Sequence, residues 1–140
     1  MKCLNRPKCI FRGTALLVLV LDVISKMLAE KYRPDFFMLG YAENTGAAFG
    51  IMKGSGIILA AVSLAVIALI LYYHIKRKME ASVSFFMSLM FAGALGNLID
   101  RLFRGFVVDF IDLGFWPAFN IADIAITAGV IGLIYVIYKK

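Results

Sequence analysis

Residues 93–123 read GALGNLIDRLFRGFVVDFIDLGFWPAFNIAD. This segment combines long apolar runs with aspartates, asparagines and Arg101. The polar members that draw attention are Asn97, Asp100, Asp109, Asp112, Asn120 and Asp123. Ionisable side chains at membrane depth are costly, so they generally mark a functional site. The segment therefore predicts acid–base chemistry at a membrane surface.

The composition places the whole chain in a membrane. Of its 140 residues, 62% are hydrophobic and only 17% are charged, whereas soluble domains carry roughly 25% charged residues. We expect one membrane-embedded domain over residues 1–140. The formal net charge is +6, but the basic residues lie in clusters between apolar runs. This distribution is typical of topology signals, and nucleic-acid binding is not predicted.

Apolar segments long enough to cross a bilayer, about 20 residues each, occur four times. They cover residues 13–29, 56–75, 81–99 and 119–138. The expected fold is an all-α integral membrane protein with four transmembrane helices. The loop at 31–55 is long for a plain connector, and we expect it to form an extracytoplasmic platform with short β-strands.

The basic clusters predict the orientation of the chain. They precede the first segment, separate the second from the third, and end the chain; their members are Lys2, Arg6, Lys8, Arg12, Lys76, Arg77, Lys78, Lys139 and Lys140. Excess Lys and Arg marks the cytoplasmic side. Both termini are therefore expected in the cytoplasm, and the polar residues of 93–123 converge on the outer leaflet.

Two amide–carboxylate pairs recur at the same spacing. Asn97 precedes Asp100 by three residues, and Asn120 precedes Asp123 by three. Residues three apart share one face of a helix. We expect each aspartate to have an amide on its own face that fixes its rotamer and its proton.

Asp109 follows the β-branched pair Val107–Val108, which predicts a short extended piece returning to the membrane surface.

Two carboxylates that approach each other in a low-dielectric site share one proton. The ionised member then activates water while the other donates to a carbonyl oxygen. This chemistry uses no metal and no cofactor. The alternative for Asp109 and Asp123 is a purely structural, hydrogen-bonded pair.

Other charged residues favour structural roles. Asp22 and Lys26, four apart in the first segment, predict an intramembrane ion pair that orders the bundle. Asp100 and Arg101 are expected to form an interfacial ion pair or a helix cap, with a direct catalytic role as the open alternative. Asp112 is expected to be a solvated loop residue.

Five motifs in order make this chain resemble the lipoprotein signal peptidase (signal peptidase II) family. They are DVISK (22–26), ENTGAAFG (43–50), GALGNLIDR (93–101), VVDFID (107–112) and FWPAFNIAD (115–123). The resemblance implies an aspartic endopeptidase of the bacterial inner membrane. Such an enzyme removes the signal peptide of a prolipoprotein by cutting before a diacylglyceryl-modified cysteine.

The resemblance also implies the roles of individual residues. Asp109 and Asp123 match the catalytic aspartates. The residues that support them and hold substrate are Asn44, Asn97, Asp100, Arg101 and Asn120, and Asp22 matches a structural acid. The implied partners are prolipoprotein substrates and membrane lipid. The implied enzyme uses no metal or cofactor. No obligate protein partner is evident in the sequence, and we expect a monomer.

Three other classes remain as alternatives. A small multidrug or ion carrier would place an acid near the middle of a span, which only Asp22 approaches. A Mg²⁺-dependent phosphatidyl transferase would bring several aspartates onto one or two helices and would be sensitive to chelators. A non-catalytic scaffold would tolerate Asp109→Asn or Asp123→Asn.

Overall fold

The computed structural model describes residues 6–36, 38–46 and 54–139. The elements are α1 (Arg6–Tyr32), β1 (Leu39–Asn44), α2 (Gly56–Lys76), α3 (Ala81–Phe103), β2 (Val107–Ile111) and α4 (Ile121–Tyr138). The predicted fold class, a helical membrane protein with four helices and a small platform, is confirmed. The part of the predicted platform at residues 47–53 lies outside the described residues.

Helices α2, α3 and α4 are each long and apolar enough to cross a membrane. Helix α1 is the longest, with 27 residues, and it carries more charge. Both α1 and α3 extend beyond their predicted apolar segments, α3 as far as Phe103. Hydropathy reports only the lipid-compatible part of a helix, whereas the backbone hydrogen bonds continue through the polar residues at its end.

Helix α3 lies at the centre of the bundle and packs against α1, α2 and α4. Small residues permit these close approaches. A β-carbon on Gly93 would collide with the carbonyl oxygen of Ala122 on α4, and one on Gly96 would collide with the carboxylate of Asp22 on α1. Polar groups of α1, α3 and α4 are therefore held within hydrogen-bonding distance of one another.

Strands β1 and β2 form an antiparallel two-stranded sheet, in which Ala42 is opposite Asp109 and Asn44 is opposite Val107. The β-branched residues Val107 and Val108 favour this extended conformation, and both are buried. The short strand predicted in the platform and the extended piece before Asp109 are both confirmed. Their pairing joins the two connections on one side of the bundle.

Large apolar side chains are exposed along the outer faces of the helices. Examples are Leu64 on α2 and Ile134 on α4, each about 60% exposed in the isolated chain (59% and 62%). An apolar surface of this extent is unusual in a soluble monomer. It is expected where lipid surrounds the helices, whose backbone polar groups are satisfied internally.

Candidate active site

Asp109 lies in the middle of β2 and is 2% exposed. Its two carboxylate oxygens accept hydrogen bonds from two side-chain amides. Asn44 Nδ2 on β1 donates to Oδ2 at 2.9 Å, and Asn120 Nδ2 donates to Oδ1 at 2.6 Å. The sheet positions the first donor, and the residue before α4 supplies the second.

Asp123 lies in the first turn of α4 and is partly exposed. It forms a capping box with Asn120: the backbone NH of Asp123 donates to Asn120 Oδ1 at 3.0 Å, and the backbone NH of Asn120 donates to Asp123 Oδ2 at 3.2 Å. Asn97 Nδ2 on α3 donates to Asp123 Oδ1 at 2.8 Å. Asn120 therefore contacts both Asp109 and Asp123, which brings the two carboxylates into one cluster.

The environment of Asp109 changes its acidity. Burial raises the pKa of Asp109 from its ordinary value of 3.8 to about 6. The negative charge of Asp123 acts in the same direction, whereas the hydrogen bonds from Asn44 and Asn120 lower the pKa. Asp109 therefore holds a proton much closer to neutral pH than an ordinary aspartate does.

Physical chemistry fixes the orientation of both site amides. Lys26 Nζ lies 2.9 Å from Asn97, and because an ammonium only donates, the Asn97 atom facing it is the oxygen. The NH₂ group of Asn97 therefore faces Asp123. Similarly, a backbone NH donates to the Asn120 oxygen, so the Asn120 NH₂ group faces Asp109. Each carboxylate consequently receives a directed donor.

Lys26 and Asp22 are fully buried between α1, α3 and α4. Lys26 Nζ lies 2.8 Å from Asp22 Oδ2 and 3.2 Å from Asp100 Oδ2. Asp22 Oδ1 also accepts from the backbone NH of Ala122 in the first turn of α4, at 2.9 Å. The predicted Asp22–Lys26 ion pair is confirmed. Lys26 joins this pair to Asn97 and so to the site.

Asp100 is buried, and its ion-pair partners differ from the prediction. Instead of Arg101, it pairs with Arg104 and Lys26, and it accepts from the backbone NH of Val108 at 3.2 Å. Arg104 also pairs with Glu30 of α1 at 2.9 Å. The expected Asp100–Arg101 pair is wrong because residues four apart on a helix face each other and adjacent residues do not.

Arg101 is partly buried and lines the cavity beside the two aspartates. Its guanidinium makes long hydrogen bonds to the carbonyl oxygens of Asn97 (3.5 Å) and Gly46 (3.4 Å). Its Nε is buried without a hydrogen-bond partner among the described residues. Arg101 therefore retains donor capacity for a bound molecule.

A cavity of about 770 Å³ opens beside the two aspartates, between α2, α3 and α4. Its polar end contains Asn44, Asn97, Arg101, Asp109 and Asp123. Its walls are mostly apolar, with residues from α2 and α4 that include Val62, Val66, Ile126 and Ile131. This arrangement accommodates an extended apolar chain with one polar segment at the carboxylates.

The structure brings together the site residues that the sequence predicts, but through different contacts. Asn97 donates to Asp123 and not to Asp100. The Asn120–Asp123 contact arises at a helix cap and not on a helical face. Asp112 is exposed, as predicted.

Glu30 and Arg104, which were not predicted as site residues, form an ion pair that links α1 to the end of α3. They are 74 positions apart, and no local spacing connects them. The charge of Arg104 at position i+4 from Asp100 was the one available signal. Within the described residues, no group of three or more His, Cys, Asp or Glu side chains is arranged to hold a metal ion.

Comparisons with known proteins agree with this architecture. A family model described as signal peptidase (SPase) II matches residues 14–139. A lipoprotein signal peptidase of Thermodesulfovibrio yellowstonii is 44% identical over 138 residues, covering 89% of this chain and 91% of the relative. One of Syntrophomonas wolfei is 43% identical over 136 residues, covering 91% of each.

Two solved structures described as bacterial membrane enzymes have the same fold. One has a TM-score of 0.86 and 33% identity, covering 92% of this chain and 87% of the other. The second has a TM-score of 0.82 and 32% identity, covering 93% of each. The fold and the matches together define a membrane peptidase. The chain belongs to the signal peptidase II family.

Proposed function

We propose that this protein cleaves prolipoproteins immediately before a diacylglyceryl-modified cysteine, with Asp109 and Asp123 as its catalytic aspartates. Family membership makes the chain a peptidase that removes signal peptides from prolipoproteins. The proposal adds three points: the position of the cut, the catalytic role of Asp109 and Asp123, and the action of residues 1–140 as one domain. The observation that carries it is the contact of Asn120 with both carboxylates beside an apolar cavity.

The two aspartates differ in ways that suit opposite roles. Asp109 is buried and its pKa is raised to about 6, so it is the member that carries the shared proton. Asp123 faces the cavity from the first turn of α4, where the helix dipole favours a negative charge. Asp123 is therefore the carboxylate that activates water.

Hydrolysis then follows a balanced proton cycle. Asp123 takes a proton from water as the water oxygen attacks the scissile carbonyl carbon, and Asp109 donates its proton to the carbonyl oxygen. As the tetrahedral intermediate collapses, Asp123 gives its proton to the leaving amine. Asp109 recovers a proton from the intermediate's hydroxyl group. Both residues return to their starting states, and the C–N bond has been replaced by an acid and an amine.

The remaining site residues position the substrate. Arg101 and Asn44 line the polar end of the cavity and have N–H groups suited to backbone carbonyl oxygens. The apolar walls suit a signal peptide and the acyl chains of a lipidated cysteine. The side chains that can hold an attacking water lie at the polar end of the cavity, so cleavage is expected in the peptide segment held there.

The proposal includes the topology and the assembly state. The distribution of Lys and Arg supports an inner-membrane protein with both termini in the cytoplasm and the aspartates near the outer leaflet. A reporter that is active only in the cytoplasm should be active when it is fused after Lys140, and a reporter that is active only outside the cytoplasm should be inactive there. We also propose a monomer, because the described part of one chain supplies every residue of the site; a monomer mass in detergent by light scattering is the expected result.

The experiment that tests the function uses a fluorescent, diacylglyceryl-modified prolipoprotein peptide in detergent or liposomes. Wild type should cleave it before the lipidated cysteine, and EDTA should leave the rate unchanged. Asp109→Asn and Asp123→Asn should each lower kcat by about 1000-fold or more. The matched control, Asp112→Asn, changes an exposed aspartate of the same connection and should keep wild-type activity.

Two outcomes would contradict the proposal. Cleavage that persists in either Asp109→Asn or Asp123→Asn would remove that residue from the catalytic pair. Loss of cleavage in EDTA, with recovery on adding Mg²⁺, would replace the aspartyl mechanism with metal-dependent chemistry. Circular dichroism of each variant separates a chemical defect from misfolding.

A further inference from the structure

Two further cavities lie at the opposite end of the bundle from the aspartates. This end is marked by the contact of Ser84, near the start of α3, with the carbonyl oxygen of Pro7 at 2.7 Å. Ser84 precedes Asn97 by 13 residues of the same helix, a separation of about 20 Å at 1.5 Å per residue. These cavities are therefore separate from the candidate active site.

The first of them, about 480 Å³, is an apolar groove between α1 and α2. Both helices pack on α3 and make few contacts with each other, so α3 forms the floor of the groove. Phe11 of α1 packs against that floor: its ring centroid lies 5.3 Å from that of Phe91 on α3 and 4.0 Å from that of His74 on α2. Leu19 and Leu71 contribute to the walls. The mostly apolar lining of the groove suits an acyl chain.

The second cavity, about 390 Å³, adjoins the groove and is strongly basic. The two cavities share Lys8, His74 and Ile75. The basic residues that line one or both of them are Lys8, Arg12, Lys76, Arg77 and Lys78. Among the described residues, neither lining contains Asp or Glu. An apolar slot therefore leads directly into a positively charged compartment.

His74 lies at the junction of the two compartments. Its ring stacks on Phe11, and its Nδ1 is buried without a hydrogen-bond partner in the described part of the chain. A buried polar atom without a partner is costly. A phosphate or glycerol hydroxyl seated at the junction would give this nitrogen a partner. The observation is independent of the charge pattern and points to the same kind of ligand.

We propose that these cavities form a binding site for an anionic phospholipid of the leaflet opposite the aspartates. One acyl chain occupies the groove between α1 and α2, and the phosphate lies against Lys8 and Arg77. Basic pockets between transmembrane helices recognise anionic lipid head groups. The joined apolar and basic compartments match the two parts of such a molecule. The bound lipid fills the gap that α1 and α2 leave between them and links the helices at this end.

The test measures retention of dioleoyl phosphatidylglycerol by the purified full chain, using native mass spectrometry. Dioleoyl phosphatidylcholine at equal concentration tests the head group. The site variant is Lys8→Gln with Arg77→Gln, and the control is Arg6→Gln with Lys139→Gln. Each pair removes one lysine and one arginine charge at this end of the bundle, but Arg6 and Lys139 line neither cavity.

Wild type and the control should retain one phosphatidylglycerol in preference to phosphatidylcholine. The site variant should bind it about 25-fold more weakly, at roughly fivefold for each basic residue near the phosphate. Leu19→Asn, which leaves the charge unchanged, should also weaken retention because it makes the acyl groove polar. The melting temperature with added phosphatidylglycerol should rise in wild type and not in the site variant.

Three results would overturn the proposal. Equal weakening in the site variant and the control would mean a general charge effect. Equal retention of phosphatidylcholine would mean that the basic residues recognise no head group. Full retention in a folded Leu19→Asn would mean that the lipid does not enter the groove. Peptidase activity does not enter these readouts, so they are independent of the proposed function.

Discussion

Lys26→Met removes the only ammonium among the described contacts of the buried Asp22, and it leaves two carboxylates in a low-dielectric core. Lys26 is fully buried and contacts Asp22, Asp100 and Asn97. Removing one partner of a buried ion pair costs about 3–5 kcal/mol. Because Asp22 keeps the backbone NH of Ala122 and Asp100 keeps its contact with Arg104, we expect the lower value, about 3 kcal/mol.

The same substitution should impair catalysis. Lys26 fixes the Asn97 amide, whose NH₂ group donates to Asp123. Without the ammonium, the Asn97 oxygen keeps the longer contact with Asn120 Nδ2 at 3.3 Å, so the amide and its donor to Asp123 are held less firmly. Displacing a catalytic group by about 1 Å costs on the order of 100-fold in rate, so we expect a decrease of this size in kcat. The assays are denaturant unfolding in detergent and peptide cleavage at saturating substrate.

Lys31→Met is the matched control because Lys31 lies exposed in the last turn of the same helix. It should change the free energy of unfolding by less than about 0.5 kcal/mol and leave kcat unchanged. Adding Asp22→Asn to Lys26→Met should recover about 1 kcal/mol or more relative to additivity, because it neutralises one stranded carboxylate. If Lys26→Met matches Lys31→Met in both assays, the buried network does not organise the site.

Other substitutions test the acidity of Asp109, the packing of α3 and the role of Asn120. Because the pKa of Asp109 is raised to about 6, kcat/KM should decrease as pH rises through about 6. Asn44→Ala removes a hydrogen bond that lowers this pKa, so in this variant the decrease should move to higher pH. A pH profile that does not move would argue against Asp109 as the proton donor. Gly96→Ala should destabilise the fold by about 1–3 kcal/mol, measured by thermal unfolding, because its β-carbon would collide with Asp22; an unchanged melting temperature would refute this close approach. Asn120→Ala should cost about 1 kcal/mol through the lost cap and also reduce kcat, whereas a stability loss with normal kcat would make Asn120 structural only.

The sequence predicted those features whose physical cause is local. The Asp22–Lys26 pair depends only on helical spacing, and the strand at Val107–Val108 depends on β-branched residues next to the candidate acid. The membrane segments follow from apolar length. These features need no knowledge of how distant parts of the chain meet. The structure confirms the ion pair and the strand. Three of the four predicted segments, in α2, α3 and α4, form described helices that are long and apolar enough to cross a membrane.

The remaining contacts depend on tertiary structure. Asn97 shares a helical face with Asp100, but Lys26 from α1 takes its oxygen and turns its NH₂ group toward Asp123. The Glu30–Arg104 pair joins residues 74 positions apart. The pairing of β1 with β2 is likewise invisible in a single sequence. Spacing identifies candidate partners, and packing selects among them.

The most direct test of the central claim compares Asp109→Asn, Asp123→Asn and the double variant in single-turnover cleavage of the lipidated peptide. Residues that act as one catalytic unit are strongly non-additive. We predict that each single variant loses about 1000-fold or more in rate and that the double variant is no slower than either. If the two losses multiply in the double variant, or if one single variant cleaves at the wild-type rate, Asp109 and Asp123 do not work as a pair.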